Sequence, residues 1–136
     1  MYRRLLVPID GSATGERGLE EAIRLATVLE GQIRLLHVLS TANVPRDGAD
    51  AMVDASRCRA IAAGIGTDVR RFDGFDGSVD ELIAAESKAW GADLVVMGTH
   101  GRHGLPRLLL GSDADQVVRL SRIPVLLVPA RDDDRD

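Results

Sequence analysis

Between residues 98 and 112 the chain reads Gly-Thr-His-Gly-Arg-His-Gly-Leu-Pro-Arg-Leu-Leu-Leu-Gly-Ser. Gly98, Gly101, Gly104 and Gly111 punctuate this stretch, which follows an apolar run and precedes a helical pattern. Such a loop suits phosphate. Glycine lets the backbone come close to a ligand, and unpaired N–H groups together with the helix dipole favour negative charge. Ser112 adds a hydroxyl at the end of the loop. Ordered loops longer than about 12 residues are commonly functional, so the stretch is expected to hold a ligand.

Several other side chains could do chemistry, and most read more simply. His100 and His103 flank Gly101, but the glycines place them in a loop and no third ligand accompanies them, so no metal site is expected. Asp10 could act as a base, yet no paired acid or activated nucleophile stands with it. Ser12 and Ser112 lack a His-Asp constellation. Asp10-Gly11-Ser12 is a helix-capping turn that is also compatible with ligand contact. His37 sits in a strand-like run and reads as a partly buried strand residue. Cys58 is the single cysteine, so no internal disulfide forms; between Arg57 and Arg59 it reads as an ordinary helix residue.

The type of phosphate loop can be narrowed. A Walker loop needs Gly-x4-Gly-Lys-Ser/Thr, and the one lysine of this chain, Lys88, lies elsewhere. The dinucleotide fingerprint is Gly-x-Gly-x-x-Gly after the first strand, whereas these glycines are spaced three apart and come late.

At 136 residues the chain suits one domain, expected over 1–130, with 131–136 as an exposed acidic tail. Hydrophobic and charged fractions of 45% and 28% are those of a globular protein. Only 3% is aromatic, so Leu, Val, Ile and Ala must build the core. A net charge of −4, with no basic run or stacking platform, argues against nucleic acid as a partner. No apolar run reaches the roughly 18 residues of a membrane span, and no membrane partner is expected. The apolar part of the N-terminus is too short for a signal sequence, so the expected location is cytoplasmic.

Elements alternate along the chain. Residues 5–9 read as a strand, and Ala13–Leu29 as a helix with Leu19, Ala22, Ile23, Ala26 and Leu29 on one face and Gly31 as its stop. A second strand is expected at 33–39, a loop at 40–48, and a weaker helix at 49–63 with Met52, Val53, Ala60 and Ser56 inward. Arg70 and Arg71 interrupt a third, peripheral strand at 67–72, and 73–77 reads as a turn. Ser78 and Glu81 form a capping box for a helix carrying Val79, Leu82, Ile83, Ala89 and Trp90. Gly91 stops it before a fourth strand at 93–97. After the glycine loop, a helix capped within 112–115 runs to about Ser121, and 124–129 is the fifth strand. The order βαβαβαβαβ with near-continuous apolar strands predicts an α/β fold, an open five-stranded parallel sheet with helices on both faces. The first and fourth strands then meet at the switch point, where such sheets bind ligands.

These motifs resemble the universal stress protein family from end to end. The family's nucleotide signature is Gly-x2-Gly-x9-Gly-Ser/Thr, matched by Gly98, Gly101, Gly111 and Ser112. The opening Leu-Val-Pro-Ile-Asp-Gly-Ser and the segments Ala92-Asp-Leu-Val-Val-Met-Gly and Ile123-Pro-Val-Leu-Leu-Val-Pro match its first, fourth and fifth strands. The resemblance implies a Rossmann-like fold similar to that of the adenine nucleotide alpha hydrolases. It implies that Pro8, Ile9 and Asp10 contact adenosine, with Asp10 on the ribose or metal side, and that Val38 and Met97 pack on adenine. Gly98, Gly101, Gly111 and Ser112 would hold phosphate, with Arg102 in reach of it. It also implies a homodimer through the last strand, Val125 to Val128.

One departure stands out. Many ATP-binding members carry a small or apolar residue after the Gly-Ser pair, and this chain has Asp113. Facing inward, Asp113 would repel triphosphate unless Mg2+ intervened; facing outward, it would stabilise the helix start by up to about 1 kcal/mol. Outward is the expected orientation. The expected function is binding of ATP or another adenine nucleotide, alone or with Mg2+, by a stress-response regulatory dimer that acts on an unknown protein partner. Catalysis is not expected beyond slow incidental hydrolysis. The alternative is a member that does not use ATP and serves as an interaction dimer.

Overall fold

The computed structural model describes residues 2–10, 13–40, 46–75, 79–98 and 115–129. Among the described residues, five strands, β1 (Arg4–Pro8), β2 (Gln32–Ser40), β3 (Thr67–Phe75), β4 (Leu94–Gly98) and β5 (Val125–Val128), alternate with four helices. The helices are α1 (Ala13–Leu29), α2 (Arg46–Ala62), α3 (Val79–Trp90) and α4 (Asp115–Ser121). All pairings are parallel and the sheet order is β3-β2-β1-β4-β5. The expected α/β architecture is therefore present, with β1 and β4 adjacent.

Alternation along the strands divides the core in two. Leu5, Val7 and Ile9 of β1 and its extension join Ile33, Leu35, Leu94 and Val96 against Leu19, Ala22 and Ala26 of α1 and Val53 of α2. Leu6, Leu36, Val95 and Met97 project the other way, against Ile83 of α3 and Val117 of α4. Leu5, Leu6, Val7, Val95 and Val96 are fully buried. Each such side chain contributes about 1.5–3 kcal/mol, which explains why both central strands are apolar on consecutive positions. α1 carries Leu19, Ala22, Ile23 and Ala26 inward as expected, with Leu25 rather than Leu29 packed on the core, and α2 turns Met52, Val53, Ser56 and Ala60 inward as the spacing predicts.

Four local expectations need correction. β3 extends to Phe75 rather than ending at 72, because it follows β2 to its end; the register shifts there, pairing Leu39 with Asp73 and Ser40 with Phe75. α2 starts at Arg46, three residues earlier than the pattern suggests. In α3, Val79 and Ala89 are exposed, while Asp80, Glu86 and Ser87 are buried. For Glu86 the reason is a charged cluster. Arg34 holds Asp68 through two hydrogen bonds of 2.9 and 3.0 Å and Glu86 at 2.8 Å, so Glu86 must turn toward the sheet. Asp68, then Glu86 more weakly, raise the Arg34 pKa further above its ordinary value, against the opposing effect of burial.

The fourth concerns the end of α1. Gly31 does not supply the left-handed residue there; Glu30 does, at φ 58°. The Gly31 N–H donates to Ala26 O at 3.0 Å, closing the turn. Gly31 is required for a different reason: a Cβ on it would lie 2.9 Å from the Arg3 carbonyl oxygen. Gly91 behaves as expected, with φ 77° and Ala92 N–H donating to Ser87 O at 2.8 Å.

Candidate functional site

The site is built where β1 and β4 part. Their pairing ends at Leu6 with Val95, whereas β1 continues with β2 to Pro8 and β4 continues with β5 to Gly98. Pro8 has no N–H with which to extend the ladder toward a neighbour. A crevice therefore opens at the carboxyl ends of the two central strands, with Pro8 on one lip and Met97 and Gly98 on the other.

Three of the expected base-contacting residues converge beside it. Pro8, Val38 and Met97 alternate onto the same side of the sheet, the side of α3 and α4, and Val38 packs on the cluster that contains Met97. Asp10 is exposed just beyond β1. Ile9 behaves differently. Its side chain is buried in the core on the α1 side, and its N–H donates to Leu36 O at 3.0 Å. Any contact from this position to a ligand is made by backbone. Gly101, Arg102, Gly111, Ser112 and Asp113 lie outside the described residues, as do His100 and His103.

Two residues that sequence reasoning passed over position this edge. Gly18 of α1 lies against the end of β4: a Cβ there would sit 3.2 Å from Gly98 N and 3.3 Å from Met97 C. Its signal in the sequence is a small residue on the buried stripe, next to Leu19 and four before Ala22. Asp93 fixes the opposite end of the same strands. Its Oδ2 accepts the backbone N–H groups of Arg3 and Arg4, both at 2.9 Å. Those two hydrogen bonds hold the Asp93 carboxyl below its ordinary pKa. The acid preceding an apolar run was legible, but its partners are 89 and 90 residues away in sequence.

The model of the Universal stress protein family matches residues 1–129. The chain belongs to the universal stress protein family. Among related sequences, universal stress protein A homolog 2 of Coxiella burnetii is 30% identical, over 93% of this chain and 94% of the relative. Universal stress protein MJ0531 of Methanocaldococcus jannaschii is 26% identical, over 94% of this chain and 82% of its own. The solved structure of MJ0577 superposes with a TM-score of 0.83 at 26% identity, covering 97% of this chain and 99% of that one. A universal stress protein solved in complex with cAMP superposes with a TM-score of 0.76 at 25% identity, covering 96% and 98%. The fold of this family member is thus that of solved universal stress proteins. Among the described residues, no helix is long and apolar enough to cross a membrane.

Proposed function

We propose that this universal stress protein binds an adenine nucleotide, with ATP the first candidate, across the crevice between β1 and β4, and acts as a regulatory dimer rather than an enzyme. The observation that carries the reading is the parting of β1 and β4 beyond Leu6 and Val95, with Pro8, Val38 and Met97 on one side of the opening. A base would rest on those apolar side chains. Its phosphates would extend toward the loop after β4, where Gly101, Gly111 and Ser112 offer N–H groups and a hydroxyl and Arg102 a counter-charge. The related protein solved with cAMP supports an adenine nucleotide as the class of ligand. Among the described residues no activated nucleophile is paired with a base, and hydrolysis would be slow and incidental.

β5 supports the dimer. It is an edge strand, and Leu126 on it is exposed, as are Val118 and Leu120 on α4. An open edge with apolar side chains is suited to pairing with a second copy. The same surface keeps alive the reading of an interaction dimer that does not use ATP, and Asp113 favours that reading.

Calorimetric titration of the full chain with ATP, with and without Mg2+, decides between them. Binding that disappears on replacing Gly111 and Ser112 by valine is expected. No heat at millimolar ATP overturns the nucleotide reading. A tighter complex of at least about tenfold for Asp113→Val would place that carboxylate against the phosphates rather than outward.

A further inference from the structure

The base end of the crevice has a wall that none of the residues discussed for the site supplies. Phe72 of β3 is the register partner of Val38 on β2. In a parallel ladder such partners share a face, on strands about 4.8 Å apart. Both side chains are partly buried against the cluster that contains Met97 and Leu36. A planar ring lying on Val38 therefore reaches Phe72 if it is as long as a purine.

The Phe72 ring is covered from one direction. Arg70 starts two residues earlier on the same face of β3, and its guanidinium carbon lies 4.5 Å from the ring centroid. Arg70 is held back there by Glu86, its Nε 3.6 Å from Oε1 of that buried carboxylate. The amino-terminal side of the ring is thus occupied by a cation. Toward the carboxyl end, the pairing passes from Asp73 to Phe75 and skips Gly74. Glycine bulges at sheet edges commonly mark close approach of a ligand.

We infer that Phe72, backed by Arg70, is the stacking wall that selects a purine over a pyrimidine base in this site. The inference rests on the nucleotide reading above. A pyrimidine seated on Val38 is one ring shorter and leaves Phe72 untouched, whereas a purine gains the stacking contact. An aromatic contact of this kind changes affinity by roughly 5- to 150-fold.

The test is calorimetric titration of the full chain with ATP and with CTP, for wild type, Phe72→Leu and Phe72→Tyr. Expected is a loss of about tenfold in ATP affinity for Phe72→Leu, with CTP affinity moved by no more than about twofold and Phe72→Tyr close to wild type for both. ATP binding that is unchanged in Phe72→Leu, or a loss equal for both nucleotides, overturns the inference and leaves the nucleotide reading standing. Wild type that binds neither nucleotide overturns both. Should Phe72→Leu fail to fold, the wild-type complex still answers. The chain has two phenylalanines, so ring-proton contacts from Phe72 to adenine H2 or H8 are assignable by NMR. Their absence at saturation overturns the inference.

Discussion

Gly18 on α1 and Gly98 at the end of β4 approach so closely that a methyl group on Gly18 would stand 3.2 Å from the Gly98 nitrogen. The helix is seated directly on the strand that leads into the glycine loop. Gly18→Ala gains about 1 kcal/mol of helix propensity and spends it on shifting α1 by a few tenths of an ångström, so its net stability changes little. Gly18→Leu cannot be absorbed in this way. It is expected to destabilise the fold by about 1–3 kcal/mol in urea unfolding and, in the folded fraction, to weaken ATP binding by moving Met97 and Gly98.

Asp93 ties the start of β1 to the start of β4, and its contribution depends on pH in a defined direction. Its folded-state pKa is depressed by the Arg3 and Arg4 N–H groups. The stabilisation is therefore full above the unfolded carboxylate value of about 3.9 and is lost as pH falls through the lower folded value. Asp93→Asn should cost about 1 kcal/mol near neutral pH, as expected of charge-assisted bonds at a partly solvated position. The gap between the wild-type and Asp93→Asn unfolding curves should close below about pH 4. A gap that stays constant from neutral to acid pH would refute this assignment.

Glu30 holds a left-handed backbone at φ 58°, a conformation that costs an L-residue energy and glycine little. Glu30→Gly is expected to stabilise the protein by about 0.5–1 kcal/mol, after the greater freedom of glycine in the unfolded chain is subtracted. By calorimetry that is a rise in Tm of about 2–4 °C. Its neighbour responds in the opposite sense. Gly31→Ala forces a Cβ to 2.9 Å from the Arg3 oxygen and should lower stability by about 1–3 kcal/mol.

The contrast between those neighbours shows where sequence reading stops. A glycine after an apolar stripe announces the end of a helix, but here Glu30 takes the left-handed position and Gly31 makes room for the Arg3 carbonyl. The strands and the β1–β4 switch point were legible because buried parallel strands demand continuous apolar runs. Val38 and Met97 lie on one side of the sheet because period-two alternation carries them there. Phe72 was visible only as the end of an interrupted strand. Its partnership with Val38 depends on strand register, and its cover by Arg70 on a carboxylate from α3. The buried face of α3 was misjudged for the same reason. Glu86 looks solvent-facing until Arg34 is known to lie opposite.

The Arg34 cluster has a practical corollary. Trp90 is the sole tryptophan, and it is flanked by the guanidinium carbons of Arg34 at 4.8 Å and Arg4 at 5.7 Å. Arg4 opens β1 and Arg34 lies early in β2, so the indole sits at the amino edge of the sheet, across the molecule from the crevice. Its emission is expected to register the loosening of those cations as the chain unfolds. The protein thus carries an optical gauge of folding set at the edge of the sheet opposite the proposed binding edge.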